Sequence, residues 1–356
     1  MKITRRGALL SPLVAMAVPF AAWNAPERRD AWNPKLSENL PDLTPASLRW
    51  LKQLGCKHVI YQDDADLIDP SHKGYWTAAE IQGAKKACEE AGLILESMLI
   101  PIKYYPKARL GLPGRDEETD KICRTIRAAG EAGLPMMEWR FWPDFFWDER
   151  VGYYEAEGRG GAIYRAFDYD RVKNAPPFDG IGVVDEKEMW ARFLYFARPV
   201  IAAAEKAGVR LSMHPNDPPV PVMRGVARIF HHPDNLRRFL QEVPSPASGI
   251  TFCQGTITEM GVNVFAEIRS FGRLGKIFLV HFRAVRGKVP RYTEVFIDEG
   301  DVDRLAAMKT YQEVGYTGPM VSDHTPHIPG DTPWGHRGRT YSHGYLRALV
   351  QAVNAA

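Results

Sequence analysis

Short apolar runs rich in β-formers alternate with longer amphipathic runs along most of this chain, and few folds accept that order. The strand-like runs fall at 58–62, 93–99, 135–141, 209–214, 249–256, 277–283 and 318–323. The helix-like runs fall at 77–91, 117–132, 186–207, 232–242, 263–272 and 301–314. An eighth strand is expected near 33–38, ahead of a helix opening at Thr44. Strand then helix, repeated, predicts parallel pairing, because a helical crossover returns the chain to the same end of the sheet. Eight such units in one domain over residues 30–356 predict a (β/α)8 TIM barrel. A doubly wound open sheet is the alternative. The chain carries neither G-x-G-x-x-G after its first strand nor G-x-x-x-x-G-K-[ST], so a nucleotide-binding sheet has no local support. The segment 142–185 is rich in aromatics, Gly and Pro, and is expected to be an extended loop region beside the barrel mouth.

Composition narrows the class further. With 45% hydrophobic residues, 25% charged residues and four Cys in 356, the chain is neither disordered, nor collagen-like, nor a disulfide scaffold. The formal charge of +3 is too small for a nucleic-acid binder, which needs a dense basic surface. Lys2, Arg5 and Arg6 are the only charges before Glu27, and they account for the whole surplus. Arg5-Arg6, followed by a mostly apolar run to Ala22, resembles a twin-arginine export signal. Residues 1–25 are therefore expected to be a signal peptide and the protein to be periplasmic or exported. An uncleaved tail on a cytoplasmic protein is the competing expectation. The apolar run is short for a spanning helix and holds Pro12 and Pro19, so no stable membrane anchor is expected.

In a barrel, functional side chains stand at the C-terminal ends of strands. Four consecutive predicted strands end in His214, Cys253, His281 and Asp323-His324. Imidazole, thiolate and carboxylate together suit a divalent transition metal such as Mn, Fe or Zn, whereas Mg or Ca would take oxygen alone. His214, Cys253, His281 and Asp323 are the candidate ligands. Cys56, Cys88 and Cys123 show no metal-binding spacing and are expected to be buried free thiols. Arg283, two residues past His281, is a candidate clamp for a substrate carboxylate, since a guanidinium forks onto one.

These residues lie in segments that resemble the mannonate dehydratase family: HPNDPP at 214–219, TFCQGT at 251–256, HFR at 281–283, E-x5-G-D-V-D at 294–303 and DH at 323–324. The resemblance runs in order from about Leu43 to Ala352. It implies a xylose-isomerase-like TIM barrel that uses one Mn2+ or Fe2+ ion to dehydrate D-mannonate to 2-keto-3-deoxy-D-gluconate. The family's ligands carry over onto His214, Cys253, His281 and Asp323, and its acid/base histidine onto His324. Asp217, a further catalytic candidate, matches the second Asp of the family's HPDDPP segment, and Asn216, a candidate substrate contact like His327 and Trp334, replaces the first.

The chain departs from the family on the substrate side. Pro34-Lys35-Leu36-Ser37-Glu38 stands where the family has Phe-Arg-Trp-Tyr-Gly. Trp334 occupies the place of the family's catalytic Tyr, and Tyr341 follows a few residues on. Tyr341 and His327 are the candidates for protonating the leaving hydroxyl. The expected partner is a small-molecule sugar acid, and assembly into a homo-oligomer is compatible with the sequence. Two other functions fit the same residues: a metal-dependent sugar or sugar-acid isomerase or epimerase, and a non-catalytic exported sugar-acid binding protein.

Overall fold

The computed structural model describes residues 31–62, 68–69, 71–142 and 148–355; the expected signal segment lies outside them. The first strands and helices follow from local chemistry. β1 (Lys35–Leu40) leads to α1 (Pro45–Gln53), which starts where the Thr44 side chain accepts the Ser47 N–H, with Pro45 as its first residue. β2 (His58–Tyr61) leads to α2 (Ala78–Glu90), opened by a reciprocal capping box between Thr77 and Glu80. β3 (Ile94–Leu99), α3 (Pro106–Leu110), α4 (Arg115–Glu131) and β4 (Met136–Arg140) complete the first half.

After β4 the chain forms an antiparallel hairpin, β5 (Tyr153–Glu157) and β6 (Ile163–Asp168), before α5 (Glu186–Ala207) and β7 (Arg210–His214). A two-residue pair, β8 (Val222–Met223) and β9 (Val226–Ala227), precedes α6 (Pro233–Glu242) and β10 (Ser248–Cys253). There follow α7 (Gln254–Glu259), α8 (Val264–Arg273) and β11 (Ile277–His281), and then a second hairpin, β12 (Ala284–Lys288) and β13 (Arg291–Val295). α9 (Arg304–Glu313), β14 (Pro319–Val321) and α10 (His336–Ala355) close the chain.

Eight strands form a closed parallel barrel in the order β1-β14-β11-β10-β7-β4-β3-β2. This is the expected TIM barrel, with every expected strand present. Its register matters for function. Arg140 pairs with His214, Cys253 with His281, and His281 with Val321, so these strand ends share one rim. Outside the barrel, Trp139 of β4 and Phe141 just after it pack on Phe193 of α5, whose ring also meets Phe239 of α6. Such buried aromatic contacts fix where β4 sits relative to its helices.

The expected loop region at 142–185 contains regular structure instead. β5 and β6 join β12 and β13 in one four-stranded antiparallel sheet, ordered β12-β13-β6-β5. Tyr292 stands opposite Phe167 across its central seam, and the two rings stack at 4.9 Å. Neither hairpin buries a full apolar face by itself, so each relies on the other to form a sheet.

Candidate metal centre and cavity

Four side chains converge where β7, β10, β11 and β14 end. The donor atoms of His214, Cys253 and His281 all lie within 4.8 Å of one another, and all three residues are buried. Asp323 joins them, with Oδ2 3.5 Å from His281 Nδ1 and 3.9 Å from Cys253 Sγ. Its backbone is left-handed, φ 61°, a conformation that a non-glycine residue adopts at a cost and that clusters at functional sites. His214 Nδ1 lies 2.7 Å from the carbonyl of Pro215, which holds the proton on that nitrogen and leaves Nε2 with a lone pair. Neither ring nitrogen of His281 has a hydrogen-bond partner among the described residues, although the ring is fully buried.

The protonation pattern fits a cation. Burial would raise the Cys253 thiol, but the Arg283 guanidinium and contacts from both imidazoles bring it well below its ordinary range. Burial also opposes charge on Asp323, yet His324, His281 and Arg283 keep its carboxyl well below the usual value. A thiolate, two imidazoles and a carboxylate, with orphaned buried imidazole nitrogens, form a donor set that a divalent transition metal satisfies.

Beside this group lies a second cluster, Asp217, Glu294 and His324, with donor atoms also within 4.8 Å. Here the positive charge is already supplied. Arg283 is buried, and donates through Nη2 to Asp217 and through Nη1 to Glu259, both at 2.6 Å. It also lies 3.4 Å from Glu294 and 3.1 Å from Asp323. Gly255 makes room for it, since a Cβ there would sit 2.5 Å from Arg283 Cγ. Asp217 further accepts from Tyr153 at 2.6 Å and Tyr292 at 3.2 Å. Burial pushes Glu259 well above the carboxylate range; Arg283 opposes that, while Asp217 and Glu294 reinforce it. Of the two carboxyls that Arg283 reaches at 2.6 Å, Glu259 is thus the harder to ionise and Asp217 the easier.

Arg283 was expected to clamp a substrate carboxylate, but its guanidinium is committed to four of the protein's own. Two other cations, Arg339 of α10 and Arg165 of β6, line the cavity. Arg165 pairs with Glu294 and lies 2.6 Å from His324 Nδ1. His324 also has Nδ1 3.1 Å from Glu294 and Nε2 3.5 Å from Asp323. A cavity of about 680 Å3 is lined by Arg165, Glu294, His324, His327, Trp334 and Arg339, among others. His324 therefore connects the cavity wall to the ligand cluster.

The remaining expected residues divide. His327 and Trp334 face the cavity. Asn216 is buried and accepts the Phe230 N–H at 2.7 Å, which fixes the loop after β7. Tyr341 is not brought to the site. It lies on α10, 43% exposed, with its ring edge against Phe296 and its hydroxyl drawn to Asp298. Its spacing from Trp334 turns it onto an outer helical face. Cys56, Cys88 and Cys123 are buried free thiols, as expected.

The D-mannonate dehydratase (UxuA) profile matches residues 170–356, more than half of the chain. The chain belongs to the D-mannonate dehydratase family. The mannonate dehydratase of Thermotoga maritima is 30% identical over 307 residues, covering 77% of this chain and 83% of that protein. Mannonate dehydratase 2 of Halalkalibacterium halodurans is 28% identical over 329 residues, covering 85% and 92%. The crystal structure of mannonate dehydratase from Streptococcus suis serotype 2 superposes with a TM-score of 0.79 at 26% identity, over 90% of this chain and 93% of that one. A xylose isomerase domain protein from Planctomyces limnophilus shares the fold, with a TM-score of 0.60 at 15% identity, over 92% of this chain and 100% of that one. Family members are hydro-lyases, so this barrel is placed among enzymes. Arg165 and Glu294 were missed as site residues; Glu294 opens the E-x5-G-D-V-D segment, which was the available signal.

Proposed function

We propose that this protein is a metal-dependent dehydratase of a sugar acid of the D-mannonate type, releasing water and a 2-keto-3-deoxy acid. The observation that carries the reading is the position of His324, between Asp323 of the ligand cluster and Arg165 and Glu294 of the cavity wall. His214, Cys253, His281 and Asp323 are the residues that would hold the ion, Mn2+ or Fe2+. Such an ion, when bound, stabilises negative charge on substrate oxygens and is worth several kcal/mol.

The chain's own groups do the rest. The Arg165 and Arg339 guanidiniums, on the cavity wall, are the positive charges an acid substrate meets. His324 takes the proton from C2, the carbon next to the carboxylate. The electrons of that C–H bond form the C2–C3 double bond while the C3–O bond breaks and hydroxide departs. His327, which faces the same cavity, protonates the leaving oxygen. The resulting enol takes a proton at C3, loses the proton on the C2 oxygen and becomes the ketone. Trp334 has no titratable proton to offer there. Acid/base catalysis by a placed histidine is worth about 10²–10⁴-fold.

Metal-reconstituted protein incubated with five- and six-carbon aldonates should yield a product lighter by one water. His324→Ala should abolish that product while the protein still retains its metal. Deuterium uptake from solvent without water loss would make the enzyme an epimerase, a reading that Tyr341's place away from the cavity favours. Binding without either would make it a binding protein. Metal analysis of the protein as isolated identifies the ion. We also infer export by a twin-arginine route, from Arg5-Arg6 and the apolar run behind them. Arg5→Lys with Arg6→Lys in the full chain should trap the protein in the cytoplasm, and unchanged secretion would refute that route.

A further inference from the structure

Glu138 sits on β4, two residues before the strand-end Arg140, and faces His281 of the ligand cluster. It is fully buried, and neither carboxylate oxygen has a hydrogen-bond partner among the described residues. Two groups lie within ion-pair distance: Arg140 Nη2 at 3.6 Å from Oε1, and His281 Nε2 at 3.8 Å from Oε2. A buried carboxylate without hydrogen bonds is costly to a fold, so its retention calls for a reason beyond packing.

The two faces of His281 supply one. Nδ1 is turned to Asp323, at 3.5 Å, on the side of the ligand cluster. Nε2 is turned to Glu138. A neutral imidazole carries one N–H and one lone pair, and the partner of the N–H decides which nitrogen is which. If Nδ1 is to present its lone pair to an ion, the proton must stand on Nε2, and Glu138 is the group that faces it. An acceptor behind a metal-binding histidine sets both its tautomer and the pitch of its ring.

We infer that Glu138 is a positioning residue that holds the Nε2 proton of His281 and thereby aims Nδ1 at the metal; this rests on the metal reading given above. The carboxylate is thus a burden on the apoprotein and an asset to the loaded one. That opposition makes the inference testable without measuring turnover.

Glu138→Gln keeps the shape and a weaker acceptor, and Glu138→Leu removes both charge and acceptor. Apoprotein of each is titrated with Mn2+, and with Co2+ to follow the Cys253 thiolate absorption band. Expected is weaker Mn2+ binding, by about 10-fold in Glu138→Gln and about 100-fold in Glu138→Leu. The Co2+ band should persist at saturation, and the Glu138→Gln apoprotein should melt at or above the native temperature. A purely structural role with Arg140 would instead lower the melting temperature of the apoprotein and leave the Mn2+ affinity unchanged, which overturns the inference. A Co2+ spectrum with altered coordination at saturation would make Glu138 a ligand itself, which also overturns it. Native apoprotein that takes up neither ion would defeat the metal reading as a whole, whatever the variants do.

Discussion

Arg283 and Arg165 both pair with Glu294 yet do different work. Arg283 lies among Asp217, Glu259, Glu294 and Asp323 and is buried; Arg165 lies on the cavity wall. Arg283→Met leaves several buried carboxylates without their cation, a loss of about 3–5 kcal/mol. It should lower Tm by several degrees and cut the yield of folded protein. Arg165→Met removes a charge-assisted contact of about 1.5–3 kcal/mol at the cavity. It should reduce kcat/KM about 10- to 100-fold with a small change in Tm. Equal effects of the two variants on Tm would erase the distinction. At this scale the ligand types were legible, because strand-end residues are spaced along one chain. The environment of Arg283 was not, because Asp217, Glu259 and Glu294 reach it from three separate segments whose convergence no spacing reveals.

Among the elements, α10 is tied to the barrel by charge as well as by apolar packing. Glu38 of β1 accepts from Arg339 and from His343, both at 2.7 Å and both on α10, and also from Ser322 beside Asp323. Burial disfavours the charged imidazole of His343, yet its contacts with Cys56 and Glu38 raise it to about 9 from 6.5. A pKa raised on folding adds stability that is fully present below 6.5 and is lost as the pH climbs through 9. Melting curves should therefore show Tm falling across that window as stability on the order of 3 kcal/mol is lost. His343→Gln should flatten the slope, and an unchanged slope would assign it to other groups. The helices and barrel strands were readable as elements because their apolar periods are long and regular. The four strands of the outer sheet were not. They are 5 or 6 residues long and each carries charged residues, so none stands out as an apolar run until the partner hairpin is known.

For the molecule as a whole, the ligand cluster gathers the ends of β7, β10 and β11 and the residue pair after β14. An ion held there would bind the folded chain and not the unfolded one, adding about 2.7 kcal/mol at a hundredfold excess over Kd. Chelator should lower Tm, and Mn2+ should restore it; a Tm indifferent to both would mean that the ion has no place in the folded state. The barrel itself was legible in the order of its elements, since alternation restricts a chain to few topologies. The cavity was legible only in His324, His327 and Trp334, because another part of its wall comes from two insertions that sequence places far apart. Arg165 arrives on β6 and Glu294 on β13, and the two strands pair edge to edge. Neither insertion can drift alone without breaking the seam. A substitution on one side would select for a matching change on the other, so substrate preference in this lineage would pass from ancestor to descendant as a two-part module. Grafting residues 148–170 from a relative would carry little of that relative's selectivity unless residues 284–297 travelled with them.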